Sequence, residues 1–405
     1  MGYSAVTVAS PVTSEDREHS VVIFYLSVGV GHRIAAEALA AGLARCAPEI
    51  AVETQDAIRL AGSRVMRGTP WLHTWLMGRV PRLYDRLWRS KRMAACSWWA
   101  ERRFGGRPRR AVQQFLSEAA PSVVVTTHGW ACRLAASARR DGLVNCHVAI
   151  PTDFGMHAYW PLQDVDHYVV STRQMRDGLV RDGFAPERIH ILGIPIRLTF
   201  ADGISRTDTS LSVPEIPERD EEDTAEDDMP TVLMIAGASG TGYYRRAFAE
   251  IHELLANSSA GEAPFRVVVV TGSEGPRKAA LEAAAEHLRW PAEILGLVDN
   301  MHEIMGAADL LVTKPGGLIV AEGLAKGLPM VLIGPSAGQE RANTELLLEE
   351  GAAVEVTRSG RLCRQIQQVI SPRHRLTAMA ERARALGHPN SAIECAKLIK
   401  ALASG

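Results

Sequence analysis

Four short stretches carry residue types and spacings that could do chemistry. The first, Ser27-Val28-Gly29-Val30-Gly31-His32, lies between an apolar run ending at Leu26 and an alanine-rich run starting near Arg33. Gly29 and Gly31 let backbone approach a ligand, and a helix start favours negative charge. His32 then stands at the mouth of the loop, with an imidazole suited to proton transfer near neutrality. The alternative is a structural turn whose helix the histidine caps. A dinucleotide fingerprint fits less well, because the third glycine of G-x-G-x-x-G falls on Ile34, and Asp56 as its acidic ribose partner is correspondingly weak.

The second stretch, Pro151 to Trp160, contains Thr152-Asp153-Phe154 and His157. Asp153 and His157 could form an acid–base pair facing a cleft; the alternatives are a satisfied loop aspartate and a core histidine. Asp164-Val165-Asp166 has the D-x-D spacing of a metal motif, but it leads straight into an apolar run and is set aside.

The third, Gly237-Ala238-Ser239-Gly240-Thr241-Gly242, resembles a phosphate-binding loop only in its glycines. Tyr243 stands where a P-loop needs lysine. Gly237, Ser239 and Gly240 could still lie against a nucleotide; a tight turn is the alternative. The fourth is Thr313-Lys314-Pro315-Gly316-Gly317-Leu318, whose glycines at a helix start expose N–H groups for a diphosphate. Glu322 falls a turn later, where a carboxylate could take ribose hydroxyls, and Gly338-Gln339-Glu340 and Asn343 follow the next apolar run. Each is ambiguous alone. Together, on successive loops of one half of the chain, they point to a nucleotide-sugar site without a metal constellation.

These loops need strands and helices to hold them. Val21–Leu26, Val123–Thr127, Cys146–Ile150 and His167–Ser171 read as buried strands, as do Thr231–Ala236, Arg266–Thr271, Leu310–Thr313 and Pro329–Ile333. Arg33–Arg45, Tyr244–Leu255, Pro276–Leu288 and Leu318–Lys326 read as helices that follow several of them. The alternation predicts an α/β protein of two Rossmann-like doubly wound domains facing a cleft, with ligands beyond the carboxyl ends of the strands. The expected division is a tail at 1–20, a first domain at 21–200, an acidic linker at 201–230, a second domain at 231–385, and a C-terminal helix at 386–405 that packs back on the first domain.

At 405 residues, 46% hydrophobic and 22% charged, the composition excludes a disordered chain, a fibre and a disulfide miniprotein. The six cysteines form no C-x-x-C pair and read as buried thiols. A lack of apolar runs long enough to span a bilayer, and of a signal-peptide core in the first twenty residues, leads to a cytoplasmic expectation. The net charge of −1 conceals two opposed segments. Residues 59–110 hold fourteen basic residues against two acidic ones, with Trp71, Trp75, Trp88, Trp98 and Trp99 among them. Glu215 to Asp228 holds nine acidic residues against Arg219 alone, too polar a stretch to bury a core. Interleaved tryptophan and arginine (Trp71, Trp75, Arg79, Arg82, Arg86, Trp88) suit a helix pair lying on an anionic membrane. Nucleic-acid binding would use the same composition, but no recognition motif accompanies it.

Taken together the motifs resemble the family of monogalactosyldiacylglycerol synthases and processive diacylglycerol glucosyltransferases, relatives of the MurG-type transferase. The resemblance is carried by the S-x-G-x-G-H loop with Ala35-Ala36, by Thr152-Asp153-Phe154, His157, Trp160 and Asp166, and by Gly193-Ile194-Pro195-Ile196-Arg197. Its most specific part is Gly296, Asn300-Met301, Asp309, Lys314-Pro315-Gly316-Gly317, Glu322, Pro329, Gly338-Gln339-Glu340 and Asn343. Val28 and Val30 interrupt a loop often richer in glycine among relatives, and the acidic insertion is unusual.

The resemblance implies a GT-B fold and inverting transfer from a UDP-sugar to a lipid acceptor, with no required cofactor and usually no metal. Uracil would rest on the Leu297–Met301 backbone and ribose on Glu322. The Gly316-Gly317-Leu318 helix start would take the diphosphate, and Gln339 with Glu340 would read the sugar. His32 or Asp153 would activate the acceptor hydroxyl, from a protein peripheral on the inner face of the cell membrane. Competing readings are transfer to a phosphoglycolipid or prenyl-linked intermediate, a UDP-sugar epimerase on the same fold, and a non-catalytic nucleotide-sugar sensor.

Overall fold

The computed structural model describes residues 20–27, 30–62, 86–87, 90–104, 106–201, 229–235, 249–254, 265–272, 275–286, 291–334, 338–356, 358 and 360–404. The tail, Gly29, Trp71, Trp75, Arg79, Arg82, Trp88, nearly all of the acidic linker, and Gly237, Ser239 and Gly240 lie outside the described residues.

Among the described residues, two six-stranded sheets, parallel throughout, organise the chain. The first comprises β1 (Ser20–Tyr25), β2 (Ala51–Asp56), β3 (Val123–Thr126), β4 (Cys146–Ala149), β5 (His167–Val170) and β6 (Ile189–Ile191), in the order β2-β1-β3-β4-β5-β6. The second comprises β7 (Thr231–Ile235), β8 (Arg266–Val270), β9 (Ala292–Leu295), β10 (Leu310–Thr313), β11 (Met330–Leu332) and β12 (Ala353–Glu355), in the order β12-β11-β10-β7-β8-β9. Central strands such as β3 and β8 are largely runs of valine, buried on both faces because helices cover both. Each order reverses once, between β1 and β3 in the first sheet and between β7 and β10 in the second. The crevice at such a reversal is where these folds take ligands.

The eight sequence-predicted strands are the eight that include every central position. The sequence reading did not include β2, β6, β9 and β12, and these are the four sheet edges. Asp56, the weak candidate for a dinucleotide site, instead caps the helix Ala57–Ala61 by accepting the Ile58 N–H at 3.0 Å. Asp166 pairs with Arg139 at 2.8 Å and Asp164 with Arg140, so the D-x-D stretch ties a strand entry to the helix Gly129–Arg140.

The domains share apolar packing. Phe154, Ile194, Ile196 and Phe200 join Val320, Ala321 and Leu324 of the helix Gly317–Ala325 in one buried cluster. The C-terminal helix Ser391–Ala403 crosses back and buries Cys395, Ala396 and Ile399 against Val21, Ile23 and Leu39. Gly42 makes the close crossing possible, since a Cβ there would come within 2.6 Å of the Ala392 carbonyl oxygen.

Candidate active site

Both reversal points open toward the same interdomain contact. His32 is the second residue of the helix Gly31–Cys46, which starts just beyond β1. Its Nδ1 lies 3.0 Å from the Thr127 carbonyl oxygen, just past β3, and 2.7 Å from the Thr152 hydroxyl, just past β4. A carbonyl can only accept, so Nδ1 carries the hydrogen and the neutral ring presents the Nε2 lone pair. Thr127 Oγ1 returns a hydrogen bond to the His32 carbonyl at 3.1 Å. The His128 ring meets His32 edge-on with centroids 4.7 Å apart, and His128 Nδ1 accepts the Trp130 N–H to cap the helix Gly129–Arg140. Burial lowers the His32 pKa to about 4, opposed by the Thr127 hydrogen bond, and leaves the imidazole neutral near pH 7.

Asp153 and His157, paired in the sequence reading, each take another partner. Asp153 Oδ1 accepts from Asn343 Nδ2 at 3.1 Å, and burial raises its pKa to about 7; the Asn343 hydrogen bond works against that rise and Glu340 adds to it. His157 Nδ1 accepts the Tyr159 N–H at 3.3 Å, and its ring tilts over Trp160. Burial, with help from Arg133 and His32, lowers its pKa to about 3. Asn343 is the rivet between domains. It is fully buried, and besides Asp153 it donates to Pro315 O at 2.9 Å and accepts the Phe154 N–H at 2.8 Å.

The helix Gly317–Ala325 begins at β10 with no side-chain cap, so its first N–H groups keep their field. A Cβ on Gly317 would collide with the Thr152 carbonyl oxygen, and one on Gly31 would touch Leu318 at 3.6 Å. The glycine that the sequence reading gave to a diphosphate therefore also admits the opposite domain's loop. Glu322, on the same helix, is 3% exposed. Among the described residues it pairs with Arg197, whose Nη1 lies 3.6 Å from Oε1, and Oε1 accepts no hydrogen bond. Burial raises the Glu322 pKa to about 7 against the pull of Arg197. Glu340 Oε1 meets Lys314 Nζ at 3.0 Å in a mostly buried ion pair. Glu340 Oε2 and Gln339 Oε1 are buried and accept no hydrogen bond. Leu297 is exposed before Met301, which opens the short helix Met301–Gly306.

On the other flank, Arg86 is exposed, and the helix Lys91–Phe104 presents Met93 and Trp99, the latter 65% exposed. Among the described residues no helix is long and apolar enough to cross a membrane, and no group of three or more His, Cys, Asp or Glu could hold a metal ion. Sequence reasoning did not single out Thr127, His128 or Arg197 as site residues, and used Thr152 and Lys314 only as parts of motifs. The available signal was the polar Thr126-Thr127-His128 that follows three valines at a reversal point.

Two parallel Rossmann-like sheets facing one interdomain site define the GT-B class of fold. The chain superposes on the MurG of Acinetobacter baumannii with a TM-score of 0.59 at 14% identity, covering 95% of this chain and 99% of that one. It superposes on the UDP-GlcNAc 2-epimerase of Neisseria meningitidis with a TM-score of 0.56 at 11% identity, covering 94% and 99%. At such identities the likeness speaks for fold alone. Residues 32–196 match the monogalactosyldiacylglycerol (MGDG) synthase family, and residues 231–395 match the glycosyltransferase family 28 C-terminal domain. The first half is thus similar to monogalactosyldiacylglycerol synthases and the second to family 28 glycosyltransferases. The chain is 29% identical over 253 residues to the processive diacylglycerol beta-glucosyltransferase of Bacillus subtilis, covering 62% of this chain and 62% of that enzyme. It is 26% identical over 359 residues to monogalactosyldiacylglycerol synthase 1, chloroplastic, of Arabidopsis thaliana, covering 83% of this chain and 62% of that enzyme. The match thus spans less than two thirds of either relative.

Proposed function

We propose that the chain is an inverting glycosyltransferase that moves a hexose from a UDP-sugar to a hydroxyl of a diacylglycerol-type lipid at a membrane surface. The observation that carries this reading is the trio of buried acceptor atoms Glu322 Oε1, Gln339 Oε1 and Glu340 Oε2, none of which accepts a hydrogen bond. Each such atom costs roughly 1–3 kcal/mol when left unsatisfied. A nucleotide sugar is dense in hydroxyl donors and would relieve that cost. In this reading Glu322 takes the ribose, Gln339 and Glu340 take the hexose, and uracil lies along Leu297–Met301. The uncapped start of the helix Gly317–Ala325 takes the diphosphate.

His32 is the base. The acceptor hydroxyl passes its proton to Nε2 as its oxygen bonds to the anomeric carbon. The bond from that carbon to the diphosphate breaks, and its electron pair leaves on UDP. Attack opposite the departing group inverts the centre. Helix N–H groups stabilise the charge growing on UDP, the preorganised electrostatics such a step requires. The low pKa of His32 rises once a diphosphate is near, because negative charge favours the imidazolium. Diacylglycerol as acceptor is supported by the activities named for the Bacillus and Arabidopsis relatives. The exposed Met93 and Trp99 beside the basic segment support a peripheral approach to the bilayer.

The test is UDP release from a panel of UDP-hexoses, with anionic vesicles that contain or lack diacylglycerol. Release that requires diacylglycerol, with an inverted glycolipid product, is expected. Interconversion of the UDP-sugar without an acceptor would instead assign the fold to epimerisation.

A further inference from the structure

A buried carboxylate of the donor domain, Glu322, faces a cation from the other domain. Arg197 ends the segment Gly193–Arg197 that leaves the first domain, and that segment is anchored to the C-terminal crossing by Ile196 N–H donating to Ser391 Oγ at 3.3 Å. The Arg197 side chain is 46% exposed, whereas that of Glu322 is 4% exposed. The 3.6 Å separation gives an ion pair without a hydrogen bond, so Arg197 supplies charge and leaves Oε1 free to accept from a ligand.

We propose that Arg197 is a positioning residue for donor recognition: it holds the buried Glu322 carboxylate charged and turned toward a ribose, so that nucleotide binding by one domain depends on a side chain of the other. The proposal rests on the reading of Glu322 as the ribose ligand. A carboxylate accepts two hydroxyl hydrogen bonds at once, whereas a carboxylic acid has given up part of that capacity. Burial works against the charged form, and Arg197 is the charged group among the described residues whose field offsets it. The other charged or titratable groups nearby have other engagements. Lys326 sits over the Phe200 ring, His302 meets that ring edge-on, and Lys314 pairs with Glu340. His388, packed against Gly193, carries a pKa lowered by burial and stays neutral near pH 7.

Donor affinity falls as pH drops and Glu322 takes a proton. Removing the Arg197 charge moves that fall to higher pH. The experiment is calorimetric titration of the full chain with UDP-glucose and UDP-galactose from about pH 6 to about pH 9; their diphosphate diesters keep constant charge across that range, unlike free UDP. Arg197→Gln is expected to weaken binding up to about tenfold near neutrality, converging on the wild type at high pH, as a shift of about one pKa unit requires. Arg197→Lys is expected to keep the wild-type profile, and Glu322→Gln to be weak and flat with pH. Loss in Arg197→Gln that is uniform across pH, with Glu322→Gln weakened, overturns the positioning role while the ribose assignment stands. Unchanged affinity in Glu322→Gln overturns the ribose assignment itself, and this inference with it. A wild-type profile in Arg197→Gln, with cooperative unfolding retained, also overturns the proposal.

Discussion

The two reversal points of the molecule are finished to different degrees. On the first domain, His32 Nδ1 has two oxygen partners, and Thr127 closes a return hydrogen bond. On the second, three buried acceptor atoms accept nothing. Satisfied groups hold a side chain in one tautomer and one place, which suits a base that must meet whatever acceptor arrives. Unsatisfied groups store a cost of desolvation that a ligand bearing hydroxyls repays. The first arrangement is complete within the protein alone, while the second keeps acceptor capacity to spare.

The largest effect that could break this contrast lies at His32, the proposed base. His32→Ala is expected to lower turnover about 10²–10⁴-fold with UDP-sugar affinity unchanged, as loss of a general base does. Asp153→Asn is the companion variant. Near wild-type turnover in the first and none in the second would transfer the proton to Asp153, whose carboxyl is raised to about 7. Next comes the donor side. Glu322→Ala should cost roughly 1.5–3 kcal/mol of UDP-sugar binding, read by calorimetry; unchanged affinity in a folded variant would leave the orphan oxygen unexplained.

Gly317→Ala tests the surface where the two regions meet. A Cβ there collides with the Thr152 carbonyl, so the loop that holds His32 must retreat. A destabilisation of about 1–3 kcal/mol is expected in denaturant unfolding. Equal stability would mean that the loops separate at little cost.

The smallest effect is in pH. The pKa values of His32 and His147 are lowered to about 4, and that of His157 to about 3, chiefly by burial. The unfolded chain then binds more protons than the native one from about pH 6.5 down to those values, and these histidines destabilise the fold progressively as pH falls through that window. Asp153 and Glu322, raised to about 7, act in the opposite sense, since their stabilising contribution fades as pH rises from about 4 to about 7. The net slope should therefore be shallow in the wild type. It should steepen toward acid in the double variant Asp153→Asn, Glu322→Gln, which a pH series of unfolding midpoints would reveal. An unchanged slope in that variant would remove the carboxylates from the balance.

Composition and period made the inner architecture legible before any coordinates. Runs such as Val123–Thr126 and Arg266–Val270 are buried on both faces and announce themselves as apolar blocks. The edge strands have no such signature: Ala51–Asp56 alternates small, polar and charged residues because one side of it meets solvent, and β6 and β12 span three residues each. Their pairing depends on a neighbouring strand, not on their own hydrophobicity.

The same division runs through the site. The types and spacing of His32, Asp153, Gly316-Gly317, Glu322, Gln339-Glu340 and Asn343 could be read along the chain, because helix starts and strand ends leave local marks. What gives His32 a fixed tautomer is a backbone carbonyl 95 residues away, and carbonyls leave no trace in a sequence. What engages Asp153 is Asn343, 190 residues further on. Partners so distant in the chain are chosen by sheet order and by the closing of one domain on the other, which only the tertiary structure decides.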